Sequence, residues 1–224
     1  MAWNMSEKPS IPQGIPHVCI CCPHQGSVSL EWVQSTWGPL QWIPQIDFVK
    51  SFKISRGILN LDTHRNFLAR TALEDKTVTH LLWLDSDVLA ESPPDPNQAL
   101  RMLLACNIPI ISGLYRAKKS KGDYPYAMWI RNPNGEGYLA IQSWTGNFIK
   151  VDTIGFGFVL IKREVFEKIP EPWFIWNKQT SEDFEFCEKL ANYGYEVKVF
   201  TDVKLSHILT GKVKIDGSVH VLDV

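Results

Sequence analysis

Residues 79–84 read Thr-His-Leu-Leu-Trp-Leu and run directly into Asp85-Ser86-Asp87. The run is apolar enough to predict a strand buried on both faces, as in a parallel sheet, that stops at three polar residues. Working outward, His17 to Cys22 is a second short apolar run, ended by Pro23, and Ile108 to Gly113 is a third. Helical patterns lie between them. Ser29 caps a predicted helix, Leu30 to Trp37, that Gly38-Pro39 closes, and Asp47 to Ile54 is a further candidate strand. Asp62 or Thr63 caps the next helix, with Phe67, Leu68, Ala72 and Leu73 as its apolar stripe and Arg65, Asn66 and Arg70 elsewhere. Pro93, Pro94 and Pro96 fix a loop before a helix over Asn97 to Cys106. Strand and helix in alternation predict an α/β fold with a mostly parallel central sheet flanked by helices.

After Tyr115 the pattern changes. A polar, basic loop, Lys118 to Asp123, precedes a hairpin of Ala127 to Ile130 and Gly137 to Gln142 about Asn132-Pro133-Asn134-Gly135. Asp152 to Ile161 reads as an apolar strand with two glycines, followed by a short helix, Arg163 to Lys168. Phe184 to Tyr193 is an amphipathic helix ended by Gly194, and Tyr195 to Phe200 a strand leading to His207. Lys212 to Leu222 reads as two strands about Asp216-Gly217. No linker divides the chain, so 1–224 is expected to form one domain with a small antiparallel portion in its second half.

The 224 residues are 45% hydrophobic and 21% charged, which excludes a disordered chain. With 23 Lys and Arg against 24 Asp and Glu, the net charge of −1 supplies no field for a nucleic acid or an anionic membrane. No stretch has the length of a membrane span, and residues 1–16 lack the pattern of a secretory signal. The five cysteines are odd in number and three crowd one strand, which argues for packing in a reducing compartment, so a cytoplasmic protein is expected.

Asp85 and Asp87 are two apart at the carboxyl end of a buried strand, where α/β sheets bind ligands. Two converging carboxylates there suit a hard divalent cation, Mg²⁺ or Mn²⁺; the bland alternative is a pair that only caps the following turn. His207 is placed to complete such a site, and an imidazole ligand shifts preference from Mg²⁺ toward Mn²⁺. Asp183 or Glu182, at a helix start, either caps that helix or accepts a proton from an attacking hydroxyl.

The order of these features resembles GT-A glycosyltransferases, especially family-2-like ones: the strand with Asp85-Ser86-Asp87, then Val151 to Phe166 with Gly155-Phe156-Gly157, then Ser181-Glu182-Asp183, then Ser206-His207-Ile208. The resemblance implies a nucleotide-sugar donor, UDP- or GDP-linked, whose diphosphate is held through a metal on Asp87, with Asp85 toward the ribose or the metal's waters and His207 as third ligand. It implies Asp183 as base, Arg65 and Asn66 at the donor, and the loop from Pro23 and His24 to Ser27 against the nucleotide base, with Ser86 between the two aspartates. Residues 1–115 become the donor half and 116–224 the acceptor and catalytic half. The strand Asp47 to Ser55 lacks the acidic run that usually meets uracil, so the base stays open.

An indole face suits a sugar ring, and Trp173 and Trp176, just before Glu182 and Asp183, are the favoured contacts for a carbohydrate or other hydroxyl acceptor, ahead of Trp129 and Trp144. Transfer with inversion is expected. Two alternatives use the same residues. One is a haloacid-dehalogenase-like phosphatase with Asp85 as nucleophile and Asp87 as acid/base, although that motif belongs on a first strand. The other is a nucleotide-sugar-binding domain without turnover.

Overall fold

The computed structural model describes residues 14–24, 26–56, 60–118, 124–177, 180–208, 211–213 and 219–221. The first half runs β1 (His17–His24), α1 (Leu30–Trp32), a π-helical turn (Val33–Trp37), α2 (Gly38–Trp42), β2 (Val49–Arg56), α3 (Leu61–Leu73), β3 (His80–Leu84), β4 (Val88–Ser92), α4 (Pro96–Ala105) and β5 (Ile110–Leu114). The second half adds β6 (Met128–Arg131), β7 (Tyr138–Ala140), β8 (Phe148–Val151), β9 (Thr153–Ile154), β10 (Phe158–Lys162), α5 (Arg163–Lys168), α6 (Glu182–Asn192), β11 (Val197–Ile208), β12 (Gly211–Val213) and β13 (Val219–Val221). A large mixed sheet has the order β13-β12-β11-β5-β10-β3-β1-β2, with β4 and β8 also on β11; β7-β6-β9 forms a small antiparallel sheet. No helix of the described residues is long and apolar enough to cross a membrane.

Strand alternation explains why the central runs are continuously apolar. Cys19, Cys21, Leu81, Trp83, Val159 and Ile161 point to one core, where Leu68, Ala69 and Ala72 of α3 and Phe186 and Leu190 of α6 meet them. Val18, Ile20, Cys22, Leu82, Leu84 and Leu160 point to the other, against Ala99, Leu100 and Leu103 of α4 and Trp32, Trp37 and Leu40. The three clustered cysteines are free thiols packed in these layers.

β1, β2 and β3 are parallel, as is the β5–β11 pair, and β10 runs antiparallel between β3 and β5. The sheet is therefore mixed rather than uniformly wound. The stretch Asp152 to Ile161 is two strands, β9 and β10, broken at Gly155 to Gly157. Helix formation also continues past Gly38-Pro39: the Gly38 N–H bonds Val33 O in a wide turn, and Pro39 falls in the first turn of α2, where no N–H is needed. In α3 the buried face is His64, Arg65, Leu68, Ala69 and Ala72, whereas Phe67 is 51% exposed. Arg65 joins the buried face because two carboxylates meet it there.

The tail strands β12 and β13 pair antiparallel as expected, with the Asp216-Gly217 turn outside the described residues. The first hairpin also forms, with Trp129 opposite Ala140. Sequence reading missed β4 and stopped β11 too early. β11 first runs parallel to β5, shifts register between Phe200 and Lys204, and then pairs antiparallel with β4, setting His207 opposite Val88.

Candidate active site

β3 ends at Leu84, so Asp85 follows the strand and Ser86 and Asp87 lie on a turn rather than in extended backbone. The turn is pinned by Asp85 N to Gly157 O at 3.1 Å, Val88 N to Asp85 O at 3.3 Å and Ile208 N to Asp87 O at 2.7 Å. Both carboxylates still border one cleft, but they face different partners.

Asp85 turns to Arg65, whose guanidinium donates to Asp85 Oδ1 at 3.1 Å and, from Nε, to Glu182 Oε1 at 3.0 Å. The cation also lies 5.3 Å from the Trp83 ring centroid and 5.4 Å from that of Phe156. Burial pushes the Asp85 pKa up to about 7 against the pull of Arg65, with Asp87 and Glu182 adding to the rise. Arg65 Nη1 is buried and makes no hydrogen bond among the described residues, an uncommon state for a buried donor.

Asp87 faces His207 and the Lys118 ammonium, which pairs with its Oδ2. His207 Nδ1 lies 2.7 Å from Arg116 O; a carbonyl only accepts, so Nδ1 carries the proton and Nε2 keeps its lone pair in the neutral ring. Burial lowers the His207 pKa and favours that neutral form, with Asp87 opposing. Nε2 stands 3.9 Å from Asp87 Oδ1. That donor pair, one imidazole lone pair and one carboxylate, fits a divalent cation completed by ligand oxygens. Asp85 stands apart from the pair, and among the described residues no three His, Cys, Asp or Glu side chains converge as a metal cluster.

Asp183 occupies the first turn of α6, accepting from Ser181 Oγ and from Phe184 N at 2.9 Å. Burial, with Glu182 beside it, raises its pKa to about 6 despite those bonds. Tyr115 forms the floor: its Oη accepts Gly157 N–H at 2.8 Å and its ring meets His207 edge-on at 5.1 Å. Two hollows meet at Asp85 and Asp87. One, about 540 Å³, is lined by Pro23, His24, Ser27, His64 and Ser86; the other, about 290 Å³, by Arg65, Tyr115, Lys118, Trp176, Asp183 and His207.

No family model matches the chain, and no curated protein matches its sequence. Among solved structures, A197 from STIV superposes with a TM-score of 0.66 at 20% identity, over 94% of this chain and 95% of that one. GalNAc-T7, solved with UDP, GalNAc and Mn²⁺, superposes with a TM-score of 0.55 at 13% identity, over 88% of this chain and 44% of that one. The fold is GT-A-like. Neither likeness singles out the family-2-like group.

Within this GT-A-like domain, Pro23, His24, Arg65, Asp85, Ser86, Asp87, Glu182, Asp183, His207 and Trp176 all border the joined hollows. Two expected residues do not. Asn66 spends its amide on backbone, accepting from Trp173 N and Phe174 N at 2.9 and 3.1 Å and donating to Phe174 O at 2.7 Å. It clamps the aromatic loop instead of facing a donor. Trp173 is a core residue, 5% exposed, with its indole N–H on Phe166 O and Ile169 O, so the acceptor contact expected of it is corrected. An indole in that apolar sequence context fills the core more favourably than it stacks in water. Asp85-Ser86-Asp87 follows the third strand, against the first-strand position of the phosphatase alternative.

Sequence reading missed Tyr115 and the pairing of Lys118 with Asp87. The Gly155-x-Gly157 spacing was the available signal for Tyr115, since a Cβ at Gly155 would lie 2.5 Å from Tyr115 Oη. Residues 119–123 of the polar, basic loop lie outside the described residues.

Proposed function

We propose that the chain is a nucleotide-sugar-dependent glycosyltransferase that uses a divalent cation, Mn²⁺ in preference to Mg²⁺. The observation that carries the reading is the meeting of Asp87, neutral His207 and Asp183 around one cleft whose other wall is Pro23, His24 and Ser86. The GT-A-like fold supports it, as does the Mn²⁺ and UDP named for the GalNAc-T7 structure.

In this reading the nucleoside lies in the larger hollow against Pro23 and His24, and the sugar faces Arg65 and Asp183 in the smaller. Asp87 and His207 would hold the cation, whose chemistry there would be to offset the negative charge of a departing diphosphate. Lys118 adds a second positive charge at the same place. Arg65 bridges Asp85 and Glu182 and keeps the α6 start in position. Asp183, ionised above pH about 6, accepts the proton of the attacking hydroxyl on the face opposite the leaving group, and the anomeric centre inverts.

Calorimetry of the protein with UDP and GDP sugars, with and without Mn²⁺, tests the reading. Metal-dependent binding that disappears in Asp87→Ala is expected; absence of binding by every nucleotide sugar overturns it.

A further inference from the structure

A third cavity, of about 1100 Å³, opens between the β6–β7 hairpin and the start of α6. Trp129, Tyr138 and Phe184 form one wall, with Phe184 4.9 Å from the Trp129 ring and 5.0 Å from that of Tyr138 between centroids. Arg131, Glu136 and Glu188 supply its charged groups, and Arg131 is ion-paired with Glu188. Trp129 and Ser181 border both this cavity and the smaller hollow of the active-site cleft, and Ser181 Oγ donates to Asp183. The cavity therefore shares a wall with the carboxylate assigned as base.

Aromatic faces beside directed polar groups suit a molecule with C–H faces and a rim of hydroxyls. One arginine against two glutamates gives the lining a formal charge of −1, which disfavours an anionic ligand. At about 1100 Å³ the cavity has room for a ligand longer than a monosaccharide.

We infer that this cavity binds a neutral oligosaccharide and presents one of its hydroxyls past Trp129 and Ser181 to Asp183. The direction of transfer rests on the glycosyltransferase reading above. The acceptor oxygen forms the new bond to the anomeric carbon and its proton passes to Asp183. The nucleoside diphosphate leaves with the electron pair of the broken C–O bond.

Saturation-transfer NMR on the full chain, with cellotetraose, chitotetraose, maltotetraose and tetragalacturonate as probes, tests the inference. A neutral tetramer is expected to bind, the anionic one not, and Tyr138→Ala and Arg131→Ala each weaken binding by about 10-fold or more. Arg131 is 60% exposed, so its replacement leaves the core intact even where loss of Tyr138 disturbs the hairpin. UDP titration with Mn²⁺ on the same samples separates the two readings. Nucleotide binding without any neutral tetramer, equal tetramer binding by wild type and both variants, or preference for tetragalacturonate overturns the cavity's assignment. Tetramer binding that the variants lose, in a protein that binds no nucleotide, upholds the carbohydrate site and overturns the transferase.

Discussion

Arg65 Nε donates to Glu182 Oε1 at 3.0 Å, although the two residues are 117 positions apart and both are almost fully buried. This bond ties the first turns of α3 to the first turn of α6 and so sets Asp183, the next residue, relative to Asp85.

Removing Glu182 leaves the Arg65 charge with Asp85 as its remaining carboxylate partner. Glu182→Ala is expected to destabilise by about 3–5 kcal/mol in urea unfolding, the usual cost of breaking a buried pair from one side. A double replacement, Arg65→Met with Glu182→Leu, is expected to restore a large part of that stability while abolishing nucleotide-sugar turnover. A loss under about 1 kcal/mol in Glu182→Ala contradicts the role assigned to the pair.

Gly155 has no positive φ to accommodate; what it accommodates is Tyr115, whose Oη would meet a Cβ at 2.5 Å. Gly155→Ala is expected to cost about 1–3 kcal/mol through overpacking. Tyr115→Phe in the same chain removes the clashing oxygen and recovers part of the loss, at the expense of the Gly157 N–H bond. A double-mutant cycle on thermal unfolding checks the coupling, and strict additivity refutes it.

Asp183 accepts a proton only when ionised, so turnover is expected to fall about tenfold per pH unit below its pKa of about 6 and to level off above it. Asp183→Asn removes that limb and lowers kcat by about 10²–10⁴. Stability has the opposite sign. A carboxyl whose folded pKa is raised favours the folded state at low pH, and that contribution is lost as pH rises through about 6. Unfolding at pH 4 and pH 7 in wild type and Asp183→Asn measures the difference; a variant with the same pH slope as wild type counts against it.

In the proposed function His207 and Asp87 would be the donor pair for a cation, and Lys118, paired with Asp87, would compete for it. His207→Ala is expected to weaken Mn²⁺ binding, followed by electron paramagnetic resonance, by about 10-fold or more. Lys118→Met is expected to tighten it, because no ammonium has to be displaced from Asp87. Unchanged Mn²⁺ affinity in His207→Ala assigns the metal elsewhere.

One wall of the candidate cleft was legible locally. Asp85-Ser86-Asp87 ends the most apolar strand, and Pro23 and His24 end another, so sheet logic alone brings them to one edge. Arg65 was noticed as a polar residue near the start of a helix, but its burial was not readable, because its two carboxylate partners come from the end of β3 and from α6. Trp173 and Trp176 illustrate the same limit. Three residues apart in one aromatic segment, one fills the core and the other is 53% exposed.

What the sequence by itself determined is most of the buried strands and helices, since apolar periodicity is a local consequence of which face must leave water. It also placed two carboxylates at the end of β3, and the structure set them on a turn. The tertiary structure decided which side chains become neighbours. The antiparallel insertion of β10 joins Gly157 to Asp85 and Tyr115, and the register shift in β11 carries His207 onto β4 beside Asp87. Those pairings depend on hydrogen-bond register between strands distant in the chain, and register is set by the whole packed sheet rather than by any segment's own composition.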